Sequence, residues 1–234
     1  MPVLNYAPLE KIAVAKPVNR ISYLRAACRG KVALDLGCFD ETALNKKNSG
    51  TWLYEEIFQV AKKHIGIDNS ALIPPEGIAY SENSKIIKGD IANFDYSIFA
   101  GDNIEIIIAG ELIEHLPNTL EFFGLIKKYF PGKRLICTTP NATSISNVVL
   151  ALSGRESTHS DHKQIYSFKT LNTLCRLSGF QKWEICPYYV KYTEMILNAG
   201  FPKKQLVQLA QGVINCKEYV FPLFCGGFIL DIEI

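Results

Sequence analysis

The 234-residue sequence predicts an α/β fold in which helices cover both faces of a mostly parallel sheet. Short apolar runs alternate along the chain with longer amphipathic stretches, which is the pattern of strand–helix–strand units. Polar residues follow several of these runs at the point where each strand is predicted to end. The pair Pro131-Gly132 separates one helical pattern from the next apolar run.

Seven strands are predicted. Five buried strands lie in the first part of the chain, at residues 31–37, 64–68, 85–90, 104–109 and 134–139. Two more are predicted at residues 183–190 and 228–234, one of them antiparallel to the sheet. Helices are predicted at residues 52–63, 119–130, 168–178 and 203–211. Residues 144–162 form the most loop-like stretch, and the whole chain is predicted to be a single domain.

The composition is that of an ordinary globular protein. Hydrophobic residues make up 48% of the chain, charged residues 21%, and the net charge is +2. This balance gives no reason to expect nucleic acid or a membrane as partner. Seven cysteines without a CxxC pair predict reduced thiols. We therefore expect a cytoplasmic protein without a signal peptide or membrane anchor.

Three predicted strand ends carry groups that suit a nucleoside ligand. In a parallel sheet, ligands bind beyond the carboxyl ends of the strands. Gly37 lets the backbone approach a ligand closely, because it has no Cβ. Asp68 is suited to accept hydrogen bonds from both ribose hydroxyls, and Asp90 to reach an adenine amino group or cap the next helix.

A dinucleotide site is the main alternative for this edge of the sheet. Its G-x-G-x-x-G motif lines the pyrophosphate with glycines, but only Gly37 is present here. The same turn carries Asp35, Asp40 and Glu41. Carboxylates repel a pyrophosphate and suit the ammonium and sulfonium groups of S-adenosylmethionine. The sequence therefore favours S-adenosylmethionine as cofactor.

Together these motifs resemble those of the class I S-adenosylmethionine-dependent methyltransferases. The residues that carry the resemblance are Asp35-Leu-Gly-Cys38, Gly66-Ile-Asp68, Gly89-Asp90, Ala109-Gly-Glu-Leu-Ile-Glu-His-Leu116 and Thr138-Thr-Pro-Asn141. The resemblance covers roughly residues 31–180 and implies a Rossmann-like, doubly wound sheet of seven strands with a terminal antiparallel strand. The first motif departs from the family, since Asp40 or Glu41 replaces its later glycine. The loop at 45–50 and the following residues resemble a bacterial subgroup associated with sugars and surface polysaccharides.

The resemblance also implies a division of labour along the chain. Residues 1–30 form an N-terminal extension, residues 31–140 the cofactor-binding half and residues 141–234 the acceptor side. The residues implied to bind the cofactor are Asp35, Gly37, Cys38, Asp68, Asn69, Asp90, Ile91, Gly110 and Glu111. The acceptor side also carries five aromatic residues that either stack on the acceptor or pack in the core or at the surface: Tyr166, Trp183, Tyr188, Tyr189 and Tyr192.

Methyl transfer requires alignment of the acceptor and the methyl group, and a hydroxyl acceptor also needs a base or a metal. Glu111, Glu114 and His115 follow the fourth predicted strand, and they would share one face if this segment were helical. We predict that His115, together with His162, acts on the acceptor hydroxyl. The structural alternative is that His115 only orients a loop.

A second, partial resemblance is to the small-RNA 2′-O-methyltransferases. It rests on Glu111-Leu-Ile-Glu114-His115, Thr139-Pro-Asn141 and Ser160-Asp-His162-Lys163. It implies a divalent metal held by Glu111, Glu114, His115 and His162. That family has Phe-Glu-Trp after its last histidine, whereas Gln164-Ile-Tyr166 stands here, and the chain lacks a basic excess for RNA.

The resulting hypothesis is an S-adenosylmethionine-dependent methyltransferase acting on a hydroxyl of a small molecule or glycan. The first alternative is a metal-dependent ribose 2′-O-methyltransferase acting on RNA ends. The second is a non-catalytic module that binds S-adenosylmethionine and regulates a partner, for which the altered first motif is the support.

Overall fold

The computed structural model describes residues 11–39, 42–47 and 49–234. Asp40 and Glu41, which the sequence pattern places at the first strand end, lie outside the described residues. So do residues 1–10, which belong to the predicted N-terminal extension.

The described residues form one mixed sheet of eight strands in the order β3-β4-β2-β1-β5-β6-β8-β7. β8 runs antiparallel to both of its neighbours, and β3 runs antiparallel to β4, while β4, β2, β1, β5 and β6 are parallel. This confirms the mostly parallel α/β prediction. The strands are β1 Val32–Leu36, β2 Lys63–Asp68, β3 Ile78–Ser81, β4 Ser84–Lys88, β5 Ile106–Gly110, β6 Arg134–Pro140, β7 Lys182–Tyr188 and β8 Gly227–Glu233.

The predicted count of seven strands is one too few, because β3 was missed. This strand has only four residues and lies at the edge of the sheet, where it forms a hairpin with β4. None of its residues is fully buried, so it lacks the continuous apolar run that marks the inner strands. In contrast, all five residues of β1 are buried.

The helices differ from their predicted bounds in three places. The helix predicted at 52–63 ends at Phe58, because the chain enters β2 at Lys63; the helix predicted at 203–211 extends to Val220; and the loop-like stretch 144–162 contains a helix. The helices are α1 Arg20–Cys28, α2 Ala43–Lys46, α3 Leu53–Phe58, α4 Thr119–Tyr129, α5 Ile145–Leu152, α6 Phe168–Leu177, α7 Thr193–Asn198 and α8 Lys203–Val220.

Both faces of the sheet are covered, as a doubly wound fold requires. On one face, Leu34 and Ile107 pack with Phe123 of α4 and Leu171 of α6. On the other face, α1 contributes Leu24 and other apolar residues to a second buried cluster. As a result, the carboxyl ends of β1, β2, β4 and β5 open together at one edge of the sheet.

None of the helices among the described residues combines the length and the apolar character needed to cross a membrane.

Glu218 of α8 is expected to make the free energy of unfolding depend on pH. Its side chain is fully buried, and its Oε2 accepts a hydrogen bond from the Val190 N–H at 3.2 Å. Burial raises the pKa of Glu218 from 4.5 to about 7, against the effect of backbone N–H groups of Val190 and Gly226. The unfolded chain therefore releases this proton at lower pH than the folded protein, so its contribution to the free energy of unfolding falls as pH rises between about 4.5 and 7.

We expect Glu218→Gln to remove this decline, which amounts to roughly 2–3 kcal/mol between about pH 5 and pH 8. Chemical denaturation between about pH 5 and pH 8 measures the slope. Glu233→Gln, an exposed change on β8, is the matched control and should keep the slope of the unchanged protein. An unchanged slope in Glu218→Gln would contradict the prediction.

Candidate active site

A cavity of about 870 Å³ lies at the carboxyl edge of the sheet. Phe39, Trp52 and Leu53 form part of its apolar wall, and His115 and His162 lie on its rim. Its lining also includes all nine residues that the sequence suggested for the cofactor: Asp35, Gly37, Cys38, Asp68, Asn69, Asp90, Ile91, Gly110 and Glu111. The fold thus brings these nine positions, spread over 77 residues of sequence, to one concave surface.

The turn after β1 depends on Gly37. Its φ is +71°, a left-handed conformation, and its N–H donates to the Ile67 carbonyl at 2.9 Å. A Cβ at this position would lie 3.0 Å from Leu112 Cδ1, so a side chain would crowd the cavity wall as well as strain the turn. The glycine keeps the backbone of the first motif open toward the cavity.

Asp68 is fixed in place at the end of β2. Its Oδ2 accepts from the Phe39 N–H at 2.9 Å and its Oδ1 from the Ser70 N–H at 2.8 Å. Burial raises the pKa of Asp68, and these backbone N–H groups oppose the increase. A carboxylate oxygen has two lone pairs, so each oxygen can accept a further hydrogen bond from a ligand hydroxyl.

The two other predicted aspartates lie in different surroundings. Asp90 accepts from the Ala92 N–H at 3.1 Å and from Asn93 Nδ2 at 2.7 Å, so it does stabilise the turn that follows β4. Asp35 is 1% exposed, and its Oδ2 lies 3.4 Å from Nε2 of the buried His64. Asp35 therefore belongs to the floor of the cavity, while Asp90 belongs to its outer wall.

Glu111 is held by residues from three distant parts of the chain. Its Oε1 lies 2.9 Å from the guanidinium of Arg20 and accepts from the hydroxyls of Thr138 and Tyr188, each at 2.8 Å. Its φ of +53° is unusual for a residue with a side chain. Its N–H donates to the Thr138 carbonyl at 2.9 Å, which holds this conformation.

Sequence reasoning missed Arg20, because it lies in the predicted N-terminal extension and belongs to no motif. It is the first residue of α1, where Asn19 caps the helix by accepting from the Ser22 N–H. No local pattern indicates that this arginine reaches the end of β5. Only the packing of α1 on the sheet brings Arg20 to Glu111.

Glu114, His115 and His162 lie close together, with one potential ligand atom of each within 4.8 Å of the others. Glu114 is 1% exposed, and no hydrogen bond of ordinary geometry from the described residues reaches either of its carboxylate oxygens, although the Thr139 hydroxyl is close enough to lower its pKa. Burial and the nearby charge of Glu111 raise the pKa of Glu114 to about 9. A buried carboxylate that lacks an ordinary hydrogen bond and lies beside two imidazoles fits a divalent cation such as Mg²⁺ or Mn²⁺.

The four-residue metal set implied by the resemblance does not assemble around Glu111. Residues 111–117 form turns rather than a helix, so Glu111 and Glu114 do not share a helical face. The carboxylate of Glu111 binds Arg20, Thr138 and Tyr188, as described above. The candidate metal set therefore consists of Glu114, His115 and His162, without Glu111.

The loop before α6 orients the two histidines. His115 Nδ1 lies 2.8 Å from Asp161 Oδ2, and His159 contacts the other oxygen of the same carboxylate. The rings of His115 and His162 are nearly perpendicular, with centroids 4.6 Å apart. Burial and the neighbouring His115 lower the pKa of His162, which favours the neutral imidazole that can accept a proton or bind a metal.

A second cavity of about 420 Å³ adjoins the first. Both cavities are lined by Arg20 and Glu111, so the pair lies where they meet. Among the residues of its wall are three tyrosines of the acceptor side, Tyr188, Tyr189 and Tyr192. A ligand in this cavity would lie beside one in the larger cavity.

The comparisons with known proteins agree on one architecture. A methyltransferase of Archaeoglobus fulgidus described as S-adenosylmethionine-dependent is similar in structure, with a TM-score of 0.54 and 14% identity over 92% of each chain. The chain has the class I methyltransferase fold. The small RNA methyltransferase HEN1 shares this fold, with a TM-score of 0.56 and 19% identity over 97% of this chain. This chain covers only 27% of the HEN1 chain.

Phosphoethanolamine N-methyltransferase 2 of Haemonchus contortus, solved with S-adenosylmethionine, is also similar in structure. Its TM-score is 0.52 and its identity 13%, over 90% of this chain and 52% of that one. No family model and no curated protein sequence matches the chain. The comparison of structures thus confirms the fold that the motifs predicted. The sequence identities to these proteins are too low for a comparison of sequences alone to show it.

Proposed function

We propose that the chain is an S-adenosylmethionine-dependent methyltransferase that methylates a hydroxyl group of a small molecule or glycan. The observation that carries the proposal is the cavity of about 870 Å³, in which nine motif residues lie beside the histidine pair His115–His162. The fold supports it, because structures similar in architecture include a methyltransferase described as S-adenosylmethionine-dependent and one solved with S-adenosylmethionine.

The cofactor would lie along the strand ends. Asp68 would accept from the ribose hydroxyls, since its oxygens are already fixed by backbone N–H groups. The open turn at Gly37 would let the cofactor approach the backbone. Arg20 and Glu111 form an ion pair on the cavity wall, and this pair complements the carboxylate and ammonium groups of the methionine part.

The acceptor hydroxyl would be activated at the histidine pair. Asp161 binds Nδ1 of His115 and so leaves Nε2 free to face the acceptor. Because its pKa is lowered, His162 stays neutral. It can therefore receive the proton of the acceptor hydroxyl as the methyl group is transferred. General-base assistance of this kind contributes about 10²–10⁴-fold to the rate.

A metal-dependent 2′-O-methyltransferase acting on the ribose of RNA ends is the second candidate. The observation that favours it is the buried carboxylate of Glu114, which accepts no hydrogen bond of ordinary geometry from the described residues and lies beside both histidines. Glu114, His115 and His162 would hold Mg²⁺ or Mn²⁺, which lowers the pKa of a bound hydroxyl and fixes a neighbouring one. The likeness to HEN1 agrees with this candidate, and the net charge of +2 does not favour RNA.

Calorimetric titration with S-adenosylhomocysteine, with and without Mg²⁺ or Mn²⁺, tests the proposal. We expect saturable binding without metal and, in a separate assay with S-adenosylmethionine as methyl donor, methyl transfer to one member of a panel of hydroxylated sugars, glycosides and nucleosides. Turnover that is abolished by chelation and is largest for RNA 3′ ends would favour the second candidate. Absence of binding under every condition would refute both.

A further inference from the structure

Helix α8 presents its apolar residues to solvent. Leu206, Leu209, Val213 and Val220 are 64, 67, 52 and 59% exposed, and Cys216 is exposed between the last two of them. We call these five residues the α8 stripe. A surface helix normally turns such a stripe toward the core and leaves its polar side in water. In α8 this orientation is reversed.

The polar side of α8 attaches the helix to the rest of the protein. Gln211 Oε1 accepts from the Tyr192 N–H at 2.9 Å, and the buried Glu218 accepts from the Val190 N–H at 3.2 Å. Both contacts lie on the side of the helix away from the stripe. Rotating the helix to bury the stripe would break them and expose a carboxylate that is now fully buried.

The spacing of the stripe indicates what covers it. Positions 206, 209, 213, 216 and 220 are separated by three, four, three and four residues, which is the a–d spacing of a heptad repeat. This spacing gives a narrow seam that fits another helix. A helix that lies on a membrane shows a broader apolar face.

The seam is compatible with a second copy of itself. It carries no charge, and only one of the five flanking e and g positions is charged, Lys217, so two copies meet without opposed rows of like charges. In addition, the insertion between β7 and β8 has nine apolar side chains that are each more than half exposed: Met195, Leu197, Phe201, Leu206, Leu209, Val213, Tyr219, Val220 and Phe221.

A stable dimer buries about 800 Å² on each partner, around an apolar core. The exposed apolar side chains of the α8 stripe supply such a core, and two-fold dimers are the commonest protein assemblies. We propose that the protein is a homodimer in which the α8 stripes of two copies pack against each other. The same insertion lines the second cavity through Met195, so the dimer contact would lie next to the acceptor side.

Sedimentation equilibrium on the full chain tests the dimer. The unchanged protein is expected to have twice the mass of one chain, and Leu209→Lys to raise the dimer dissociation constant about thirty-fold or more. Leu177→Lys is the matched control, because Leu177 is 66% exposed at the end of α6, and it should leave the dimer intact. Circular dichroism checks that both variants keep their fold.

Cross-linking locates the contact. In a Cys216→Ser background, the six remaining cysteines are buried, so Val213→Cys should cross-link two chains under oxidation and Gln208→Cys should not. A monomer at every concentration, a dimer unaffected by Leu209→Lys, or equal cross-linking at both positions would overturn the proposal. Binding of the monomeric protein to anionic phospholipid vesicles through the α8 stripe would also overturn it.

Discussion

Replacing His162 with alanine is expected to lower the rate of methyl transfer by about 10²–10⁴-fold while S-adenosylhomocysteine still binds with unchanged affinity. The reason is its position: His162 lines the cavity with its ring 4.6 Å from that of His115, and it is not among the hydrogen-bond partners of Asp68 in the described residues. Single-turnover assays measure the rate, and calorimetry measures the affinity.

Ser160→Ala, on the same exposed loop, is the matched control and should retain activity. The variant Glu114→Gln then separates the two candidate functions. Glutamine preserves the shape of this buried side chain but is a poor metal ligand, so a metal-dependent enzyme would lose metal binding together with turnover. A metal-independent enzyme would retain most of its activity. Full activity in His162→Ala would exclude this histidine from the reaction.

Replacing Asp68 with asparagine is expected to weaken S-adenosylhomocysteine binding by about 100-fold. The change removes the negative charge and one acceptor oxygen where two ribose hydroxyls would bind, and hydrogen bonds to a charged group contribute about 1.5–3 kcal/mol each. The buried carboxylate is held by the N–H groups of Phe39 and Ser70, so it is already in position when the ligand arrives.

Isothermal titration of Asp68→Asn against the unchanged protein measures the loss. Asp102→Asn is the control, since Asp102 pairs with Lys63 in a loop away from the cavity lining. Thermal unfolding without ligand checks that neither change unfolds the protein. Equal affinity of Asp68→Asn and the unchanged protein would mean that the ribose does not bind at the end of β2.

Positions next to buried strands were predictable from the sequence because local patterns determine them. Gly37 directly follows a mainly apolar, continuously buried strand and Asp68 ends another, and parallel strands bring such ends to one edge of the sheet. Strand β3 was not predictable in the same way, because its residues are half-exposed and it pairs only at the edge.

The divergence of Glu111 and Glu114 could not be read from their spacing. The two side chains diverge because the backbone at Glu111 is left-handed. Thr138, which lies 27 positions away in the sequence, stabilises this conformation by accepting from the Glu111 N–H. The partnership of Arg20 with Glu111 likewise depends on packing between distant segments. The helical spacing of apolar residues in α8 does continue to Val220 in the sequence, but that spacing could not indicate that these residues face solvent.

The position of β8 has a consequence for how the chain reaches its native state. β8 follows every other strand in the chain, yet it lies between β6 and β7 and pairs with both along seven residues each. During synthesis, β7 therefore leaves the ribosome before β8, the strand beside it in the described sheet, exists. Joining β6 to β8 also closes a loop of about ninety residues, and contacts this distant in sequence slow folding. The last third of the protein thus depends on late, long-range assembly, while β1 and its parallel neighbours can pair earlier.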